Sequence, residues 1–189
     1  MAWEGLEELV ASCRRCPHVG KPFVEHQVYR LWLPEEIKLL IVTESPPPGQ
    51  KEDFFYNLSK PDAMRRNFMV ILGLEGMSDT EVPRWFKGRG AFITNAIKCR
   101  PIRPEGRYRD PRLLTEMTLN CTHVLELEVE LLRPKKIIAM GTYAQLSVSR
   151  LGLPHEKLYH PNYLARFRRD LIPSAREAIL RALRDPLRG

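Results

Sequence analysis

Side chains able to do chemistry follow several short apolar segments of this sequence. The segment AFITNAIKCRPIRP, residues 91–104, ends an apolar run in Asn95 and then places Cys99 in a basic, proline-stiffened loop. An amide can both donate and accept hydrogen bonds, and a thiolate can bind a metal. Glu44 and His160 also follow apolar segments. The segment around Asn95 therefore predicts a ligand loop at a strand end, next to a metal site.

Four cysteines could hold that metal. Cys13 and Cys16 form a CRRC pair, Cys99 follows an apolar segment, and Cys121 lies in a long amphipathic segment. Two intervening residues let the chain wrap both thiols of a CxxC pair around one ion or cluster. Four thiolates suit either Zn²⁺ or a [4Fe–4S] cluster, and spacing alone does not choose between them. The alternative is that Cys121 is an ordinary buried helix residue and the other cysteines are incidental.

Composition indicates a globular protein of one domain. The 189 residues are enough for a sizeable core, and 43% are hydrophobic while 28% are charged. No apolar run approaches the roughly 20 residues that span a bilayer. The N-terminal segment is acidic and amphipathic, unlike a signal peptide. We therefore expect a single domain over residues 1–189, a monomer, and a cytoplasmic location.

The charge balance favours a polyanionic partner. The net charge is +7 and the isoelectric point about 9.4. A surplus of lysine and arginine attracts nucleic acid before other partners. The alternative interpretation is a basic surface that is simply solvated.

The elements that position these residues alternate between strand and helix. Apolar runs predict strands near Lys38 to Thr43, at residues 90–97, at 135–141 and, shorter, within 156–164. Amphipathic runs predict helices at 62–72, 110–134 and 173–186, with Asp62 and Asp110 as N-caps. This alternation is typical of an α/β fold with a parallel sheet covered on both faces. Ligands of such sheets bind at the carboxyl ends of the strands, where Glu44, Asn95 and His160 lie.

Several segments resemble the motifs of the iron–sulfur uracil-DNA glycosylases, the family 4 and family 5 branches of the uracil-DNA glycosylase superfamily. The matching segments occur in the family's order: VTESPPPG, FITNAIKCRP, CTHVLELEVELLRPKKIIAMGTYA and HPNYL. The resemblance implies a three-layer α/β/α sandwich around a short parallel four-stranded sheet. It also implies that Cys13, Cys16, Cys99 and Cys121 hold a structural [4Fe–4S] cluster. The implied activity is removal of uracil from DNA, with other deaminated bases left open, to leave an abasic site.

The resemblance also implies roles for individual residues. Asn95 would read the base, because its amide can accept from N3–H of uracil and donate to O4. His160 would donate to O2 of the departing base, and Glu44 would orient the attacking water or stabilise the cationic sugar. Phe55, or alternatively Phe54, would stack on the flipped base, and Tyr56 would crowd its C5 position. Ser45 would complete the substrate pocket.

Basic residues near these motifs are the expected phosphate contacts. They are Lys98, Arg100, Arg103, Arg107, Arg109, Arg166, Arg168 and Arg169. The family inserts a side chain into the duplex after its motif histidine, which here points to residues 164–166. DNA containing deaminated bases is therefore the expected partner.

The first motif departs from the family. The family usually has Gly-Glu-Gly/Ala-Pro-Gly where this chain reads Thr43-Glu44-Ser45-Pro46-Pro47, followed by Pro48, and prolines lack the backbone N–H groups that such a loop could use. Asn162 replaces a small residue, and the interval from Cys99 to Cys121 is long. Two alternative functions remain: an iron–sulfur protein that binds nucleic acid with little or no glycosylase activity, and a zinc-stabilised domain acting on nucleotides.

Overall fold

A parallel sheet of four strands forms the centre of the protein. The computed structural model describes residues 2–102 and 110–184. Its strands are β1 Val19–Gly20, β2 Leu39–Thr43, β3 Ala91–Asn95, β4 Arg100–Pro101, β5 Lys136–Met140 and β6 Glu156–Leu158. The central sheet has the order β3-β2-β5-β6, and every neighbouring pair runs parallel. The α/β fold and all four predicted strands of the sheet are confirmed.

Strands β2 and β3 are apolar along nearly their whole length because both of their faces are covered. Every residue of both strands is buried. A strand buried on two faces reads as a continuous apolar run rather than as an alternation. The pairing register places Thr43 directly beside Asn95. The carboxyl ends of edge strand β3 and its neighbour β2 therefore lie next to each other.

The helices begin and end at residues that the sequence marks. They are α1 Ala2–Ser12, α2 Pro22–Glu25, α3 Val28–Trp32, α4 Ala63–Leu72, α5 Val82–Gly88, α6 Pro111–Leu132, α7 Thr142–Arg150, α8 Pro161–Phe167 and α9 Ile172–Leu183. The predicted caps are confirmed: the Asp62 carboxylate accepts from the first backbone N–H groups of α4, and Asp110 accepts from the Arg112 N–H. Helix α4 ends at Gly73 in the left-handed conformation.

The helices form two layers on the sheet. Helix α4 contacts α5, α8 and α9, whereas α6 contacts α1 and α7. Helices on both faces of a parallel sheet make the three-layer α/β/α sandwich that the resemblance implies. No helix within residues 2–102 and 110–184 has the length and apolar character needed to cross a membrane.

The sequence did not predict the small antiparallel pair formed by β1 and β4. Val19 pairs with Pro101 and Gly20 with Arg100. This pairing joins the segment just after Cys16 to the segment just after Cys99. It thereby brings two cysteine-bearing parts of the chain to the same corner of the fold.

Candidate active site

One large cavity opens at the carboxyl ends of the central strands. Its volume is about 940 Å³, which is at the upper end of the range for pockets that enclose small molecules. Residues from the loop after β2, from the start of α4 and from α8 surround it. They are Glu44, Ser45, Pro47, Pro48, Gly49, Gln50, Lys51, Asp53, Asp62, Ala63, Met64, Leu114, Tyr143, His160, Asn162, Tyr163, Arg166 and Phe167. Four of the predicted site residues, Glu44, Ser45, His160 and Arg166, therefore share one cavity.

Glu44 follows β2 and packs against Gly141, the residue that follows β5. A Cβ at residue 141 would lie 2.7 Å from Oε1 of Glu44, and Gly141 has φ of +100°. Only glycine suits both conditions. Burial and the nearby Glu44 carboxylate raise the pKa of Tyr143. The backbone carbonyl of Glu44 accepts from the Ile97 N–H at 3.0 Å, which ties the loop to the segment after β3.

His160 caps α8 through its own ring. Its Nδ1 accepts a hydrogen bond from the backbone N–H of Asn162 at 3.2 Å. An imidazole whose Nδ1 accepts carries its hydrogen on Nε2 when it is neutral. Asn162, the departure from the family motif, bonds through its side chain to the Asn67 amide of α4. The ring of His160 is therefore held in one tautomer, on a helix that is itself anchored to α4.

Asn95 ends β3 and is almost completely enclosed. Its side chain is 2% exposed, and Nδ2 donates to Oγ1 of Thr43 at 2.6 Å. Its backbone carbonyl accepts from Nζ of Lys98 at 2.6 Å. Asn95 does not line the cavity with Glu44 and His160. It lies on the neighbouring strand, behind the loop that carries Glu44.

A buried ionic network contacts the backbone of Asn95 through Lys98. Nζ of Lys98 lies 2.7 Å from Oε2 of Glu128 and 2.7 Å from Oγ1 of Thr94. The hydroxyls of Tyr29 and Thr94 each donate to Oε1 of Glu128 at 2.8 Å. Lys98 is 1% exposed and Glu128 is fully buried. The prediction that Lys98 contacts a phosphate is wrong, because its ammonium group is paired inside the protein.

The four cysteines lie in one corner beside this network. Cys99 packs with Cys16 and with residues of α6, and the Lys98 N–H lies 3.4 Å from Sγ of Cys121. Nδ2 of Asn120 lies 3.7 Å from Sγ of Cys16. Burial, with smaller contributions from the other three thiols, raises the pKa of Cys99 to about 12. Burial also raises the pKa of Cys121 to about 11.

Thiol donors of this kind are the ones that bind a [4Fe–4S] cluster or a Zn²⁺ ion. In a [4Fe–4S] cluster each thiolate binds a separate iron, so the ligands do not converge on one point as they do for a single ion. Within residues 2–102 and 110–184, no three His, Cys, Asp or Glu side chains are arranged to hold one metal ion. The N–H groups of Lys98 and Asn120 next to sulfur are of the kind that tunes such clusters. All four thiols are free.

Comparison with known proteins places this chain in a family. Residues 15–184 match the family model described as Uracil DNA glycosylase superfamily. The chain belongs to the uracil DNA glycosylase superfamily. A Type-4 uracil-DNA glycosylase of Thermotoga maritima is 28% identical, over 87% of this chain and 84% of that protein. One of Pyrobaculum aerophilum is 29% identical, over 84% and 70%. The wild-type UNG crystal structure from Nitratifractor salsuginis aligns with a TM-score of 0.48 at 17% identity, over 86% of this chain and 76% of that one.

The aromatic residues predicted to stack on a base are core residues in this member of the superfamily. Phe54 and Phe55 are each 1% exposed, and neither lines the cavity. The ring centroid of Phe54 lies 5.6 Å from that of Phe23, and that of Phe55 lies 4.9 Å from that of Tyr56. The Tyr56 hydroxyl is bonded to the backbone of Ile93. The predictions that Phe54 or Phe55 stacks on the base and that Tyr56 crowds its C5 position are therefore corrected, because an aromatic cluster encloses all three rings.

The predicted arginine contacts to phosphate in this uracil DNA glycosylase superfamily member divide into four groups. Arg100 is 4% exposed and donates to the Asp53 carbonyl at 2.7 Å, so it is a structural residue and the prediction for it is wrong. Arg166 and Arg168 lie at the surface on and after α8, and Arg166 lines the cavity. Arg103, Arg107 and Arg109 lie outside the described residues. Arg169 donates to the Ala165 carbonyl at 2.8 Å.

An exposed row of aromatic rings beside the cavity was not predicted. Tyr159, Tyr163 and Phe167 are 49%, 42% and 69% exposed. Successive ring centroids lie 5.3 and 5.6 Å apart. Their spacing of four residues was the available signal, since it places side chains on one face of a helix. Leu164, predicted to enter a duplex, is instead buried against the core at 1% exposure.

Proposed function

We propose that this protein is a monofunctional DNA glycosylase that hydrolyses the N-glycosidic bond of uracil in DNA and leaves an abasic site. The superfamily and the two relatives named as uracil-DNA glycosylases support the proposal. The observation that carries it is the cavity shared by Glu44 and His160, with the His160 ring held in one tautomer. Other deaminated bases are further candidate substrates.

His160 supplies the hydrogen-bond donor for the departing base. As the glycosidic bond breaks, negative charge develops on uracil while the sugar becomes an oxocarbenium-like cation. A fixed donor stabilises such charge without reorganising during the reaction. Because Nδ1 of His160 accepts from the Asn162 N–H, the ring keeps its hydrogen on Nε2 as the donor for O2 of uracil.

Carboxylates in the same cavity act on the sugar and the water. Glu44 orients the water that attacks the anomeric carbon, and its charge stabilises the cation. Asp53 and Asp62 also line the cavity. Burial raises the pKa of Asp62 to about 6, so Asp62 carries only part of a negative charge near pH 6.

Asn95 is assigned to reading the base by its match to the family motif and not by its position, because its side chain is 2% exposed and does not line the cavity. Its oxygen accepts from N3–H of uracil, and its remaining N–H donates to O4. Cytosine presents the opposite pattern at both positions, so a fixed amide rejects it. The hydrogen bond from Nδ2 of Asn95 to Oγ1 of Thr43 holds the amide, and Lys98 holds the backbone carbonyl of Asn95.

The cysteine corner holds a [4Fe–4S] cluster through Cys13, Cys16, Cys99 and Cys121. When bound, the cluster crosslinks the N-terminal segment, the loop after β3 and α6. The chain already ties these parts together through the pairing of β1 with β4. The cysteines thus fix the loop that begins at Asn95, and they take no part in the hydrolysis.

The exposed face of α8 contacts the DNA. Arg166 and Arg168 supply positive charge, while Tyr163 and Phe167 offer ring faces on which bases can stack. The guanidinium of Arg166 lies 5.9 Å from the ring centroid of Phe167. Contacts to phosphates make the affinity depend strongly on salt.

Base release tests the proposal directly. The protein, purified without air, is incubated with end-labelled oligonucleotides containing uracil, hypoxanthine or xanthine, in single strands and in mispairs, and alkali then cleaves abasic sites. We expect breaks at uracil, and losses of about 100-fold or more in Asn95→Ala and His160→Ala with unchanged iron content. His155→Ala is the matched control, because His155 is bonded within its own loop and does not line the cavity. Wild-type rates in both Asn95→Ala and His160→Ala contradict the assigned roles.

The proline-rich loop favours one alternative function. Pro47 and Pro48 line the cavity where a backbone N–H could otherwise hold water or substrate. An iron–sulfur protein that binds nucleic acid without base release is therefore the second candidate. Salt-sensitive DNA binding by cluster-loaded protein, with no breaks at any base, identifies that candidate. A colourless, zinc-loaded protein excludes the cluster and favours the zinc-stabilised alternative.

A further inference from the structure

We propose that the Thr43 hydroxyl locks the orientation of the Asn95 side-chain amide and thereby sets the choice of uracil over cytosine. The inference rests on the proposed function, in which Asn95 reads the base. Thr43 stands where the first motif of the family usually has glycine, a residue that could not form this bond. Thr43 is therefore a positioning residue and a determinant of specificity.

The parallel register of β2 and β3 brings the two side chains together. Thr43 pairs with Asn95 at the last position of both strands. Thr43 is completely buried, Asn95 is 2% exposed, and Nδ2 of Asn95 lies 2.6 Å from Oγ1 of Thr43. Oγ1 of Thr43 in turn lies 3.3 Å from the carbonyl oxygen of Thr94, to which it donates.

The direction of this chain of hydrogen bonds fixes the amide. A hydroxyl has one hydrogen, and Thr43 directs it to the Thr94 carbonyl. Toward Asn95 the hydroxyl can then only accept, so it requires the NH₂ end of the amide. A reversed amide would draw the Thr43 hydrogen to its own oxygen, and the Thr94 carbonyl would then lose the hydroxyl that donates to it. The observed orientation therefore keeps two hydrogen bonds where the reversed one keeps a single bond, and in a buried site the loss of a hydrogen bond is costly.

The Asn95 backbone is fixed independently of the amide. Its carbonyl accepts from Nζ of Lys98 at 2.6 Å, and the Ala96 N–H donates to the Thr43 carbonyl at 2.8 Å. Loss of the Thr43 hydroxyl would therefore free rotation of the amide and leave the strand in place. The locked amide offers its oxygen and its second N–H, which match N3–H and O4 of uracil. The reversed amide matches N3 and the N4 amino group of cytosine.

The test compares Thr43→Val, which keeps the shape and removes the hydroxyl, with Thr43→Ser, which keeps the hydroxyl. Single-turnover base release is measured on matched oligonucleotides that carry uracil or cytosine at one position. We expect Thr43→Val to lose about tenfold in uracil release, as for an unsatisfied buried donor, and to lower the uracil-to-cytosine rate ratio by at least that factor. Thr43→Ser should remain within about threefold of wild type. Iron content and unfolding midpoints confirm that each variant is folded.

An unchanged uracil-to-cytosine ratio in Thr43→Val overturns the inference, whether or not the absolute rates fall. A second measurement does not depend on catalysis. The Asn95 side-chain NH₂ resonances of ¹⁵N-labelled protein should be protected from solvent exchange in wild type and Thr43→Ser, and unprotected in Thr43→Val. If the wild type releases no base, the proposed function fails. In that case, protection of the Asn95 NH₂ group in wild type and Thr43→Ser but not in Thr43→Val still supports the role of the Thr43 hydroxyl. Lack of protection in the wild type overturns that role.

Discussion

Two regions at the same edge of the sheet differ in their exposure to solvent and in how firmly their side chains are held. The ends of β2 and β3 hold Thr43, Asn95 and Lys98 in a buried layer in which the side chain of each residue forms at least one hydrogen bond. Helix α8, across the cavity, instead exposes aromatic rings and arginines to solvent. The polar side chains of the first region are already held by hydrogen bonds without a ligand. The rings and arginines of α8 instead leave exposed surface that a ligand can contact.

The difference follows from what each region must recognise. A buried polar network is worth most when it is fully satisfied, and it then specifies a single geometry. Such rigidity suits the reading of one base. Exposed rings and guanidinium groups accept many partners because every base has a stacking face and every phosphate the same charge. Under the proposed function, the two regions separate the choice of base from the binding of DNA.

Breaking the buried ion pair should produce the largest effect. Lys98→Met leaves the Glu128 carboxylate buried without its cation, which costs about 3–5 kcal/mol in the free energy of unfolding. Urea unfolding measures the change. Lys135→Met is the control, because Lys135 forms an ion pair with Glu36 at the surface and such pairs contribute about 1 kcal/mol or less. Equal losses in the two variants would show that Lys98 and Glu128 do not act as a buried pair.

Asp62 sharpens the comparison, because it lines the cavity yet is 2% exposed. Burial raises its pKa from 3.8 to about 6. A carboxyl group whose pKa is higher in the folded state favours folding below its unfolded pKa, and this contribution is lost as pH rises through about 6. Asp62→Asn retains an N-cap for α4 and removes the titration. The variant's advantage in unfolding free energy over wild type should therefore grow by about 1–2 kcal/mol between pH 5 and 7.5.

Urea unfolding of both proteins at the two pH values measures this difference. The folded wild type releases a proton across this interval that the unfolded chain has already lost, so the sign is fixed by the raised pKa. An advantage of the same size at both pH values would contradict the assignment of the titration to Asp62.

Features with local signals could be predicted from the sequence, and features that depend on distant partners could not. Neighbouring residues in the sequence were enough to predict the N-caps Asp62 and Asp110 and the ends of the four strands. From the sequence, the position of Lys98 beside Cys99 and Arg100 predicts a phosphate contact. Its actual partner, Glu128, lies 30 residues away on α6, so no local signal indicates the ion pair. Burial of Phe54 and Phe55 has the same origin, since helices and strands from elsewhere in the chain enclose them.

The aromatic row on α8 should contribute a smaller, selective effect. Phe167→Leu keeps an apolar side chain but removes a ring that is 69% exposed. We expect affinity for single-stranded DNA to fall about tenfold, because stacking contributes roughly 1–3 kcal/mol per base. The dependence of affinity on salt should be unchanged, since no charge is lost. Leu146→Ala, which alters another exposed apolar residue, is the control. An unchanged affinity, or an equal loss in the control, would argue against stacking.

The smallest effect should separate two arginines of the same surface. Arg168 forms an ion pair with Asp170, with Nη2 2.8 Å from Oδ2, whereas Arg166 lies beside the ring of Phe167. Each phosphate contact contributes about one unit to the slope of log affinity against log salt. Arg166→Gln should reduce that slope by about one, and Arg168→Gln by less, because Asp170 already neutralises part of its charge. Titrations with a fluorescent oligonucleotide between about 50 and 200 mM salt measure both slopes. A larger reduction of the slope for Arg168→Gln than for Arg166→Gln would show that DNA displaces Asp170 from Arg168. The exposed face of α8 would then rearrange when DNA binds, in contrast to the buried layer at the ends of β2 and β3.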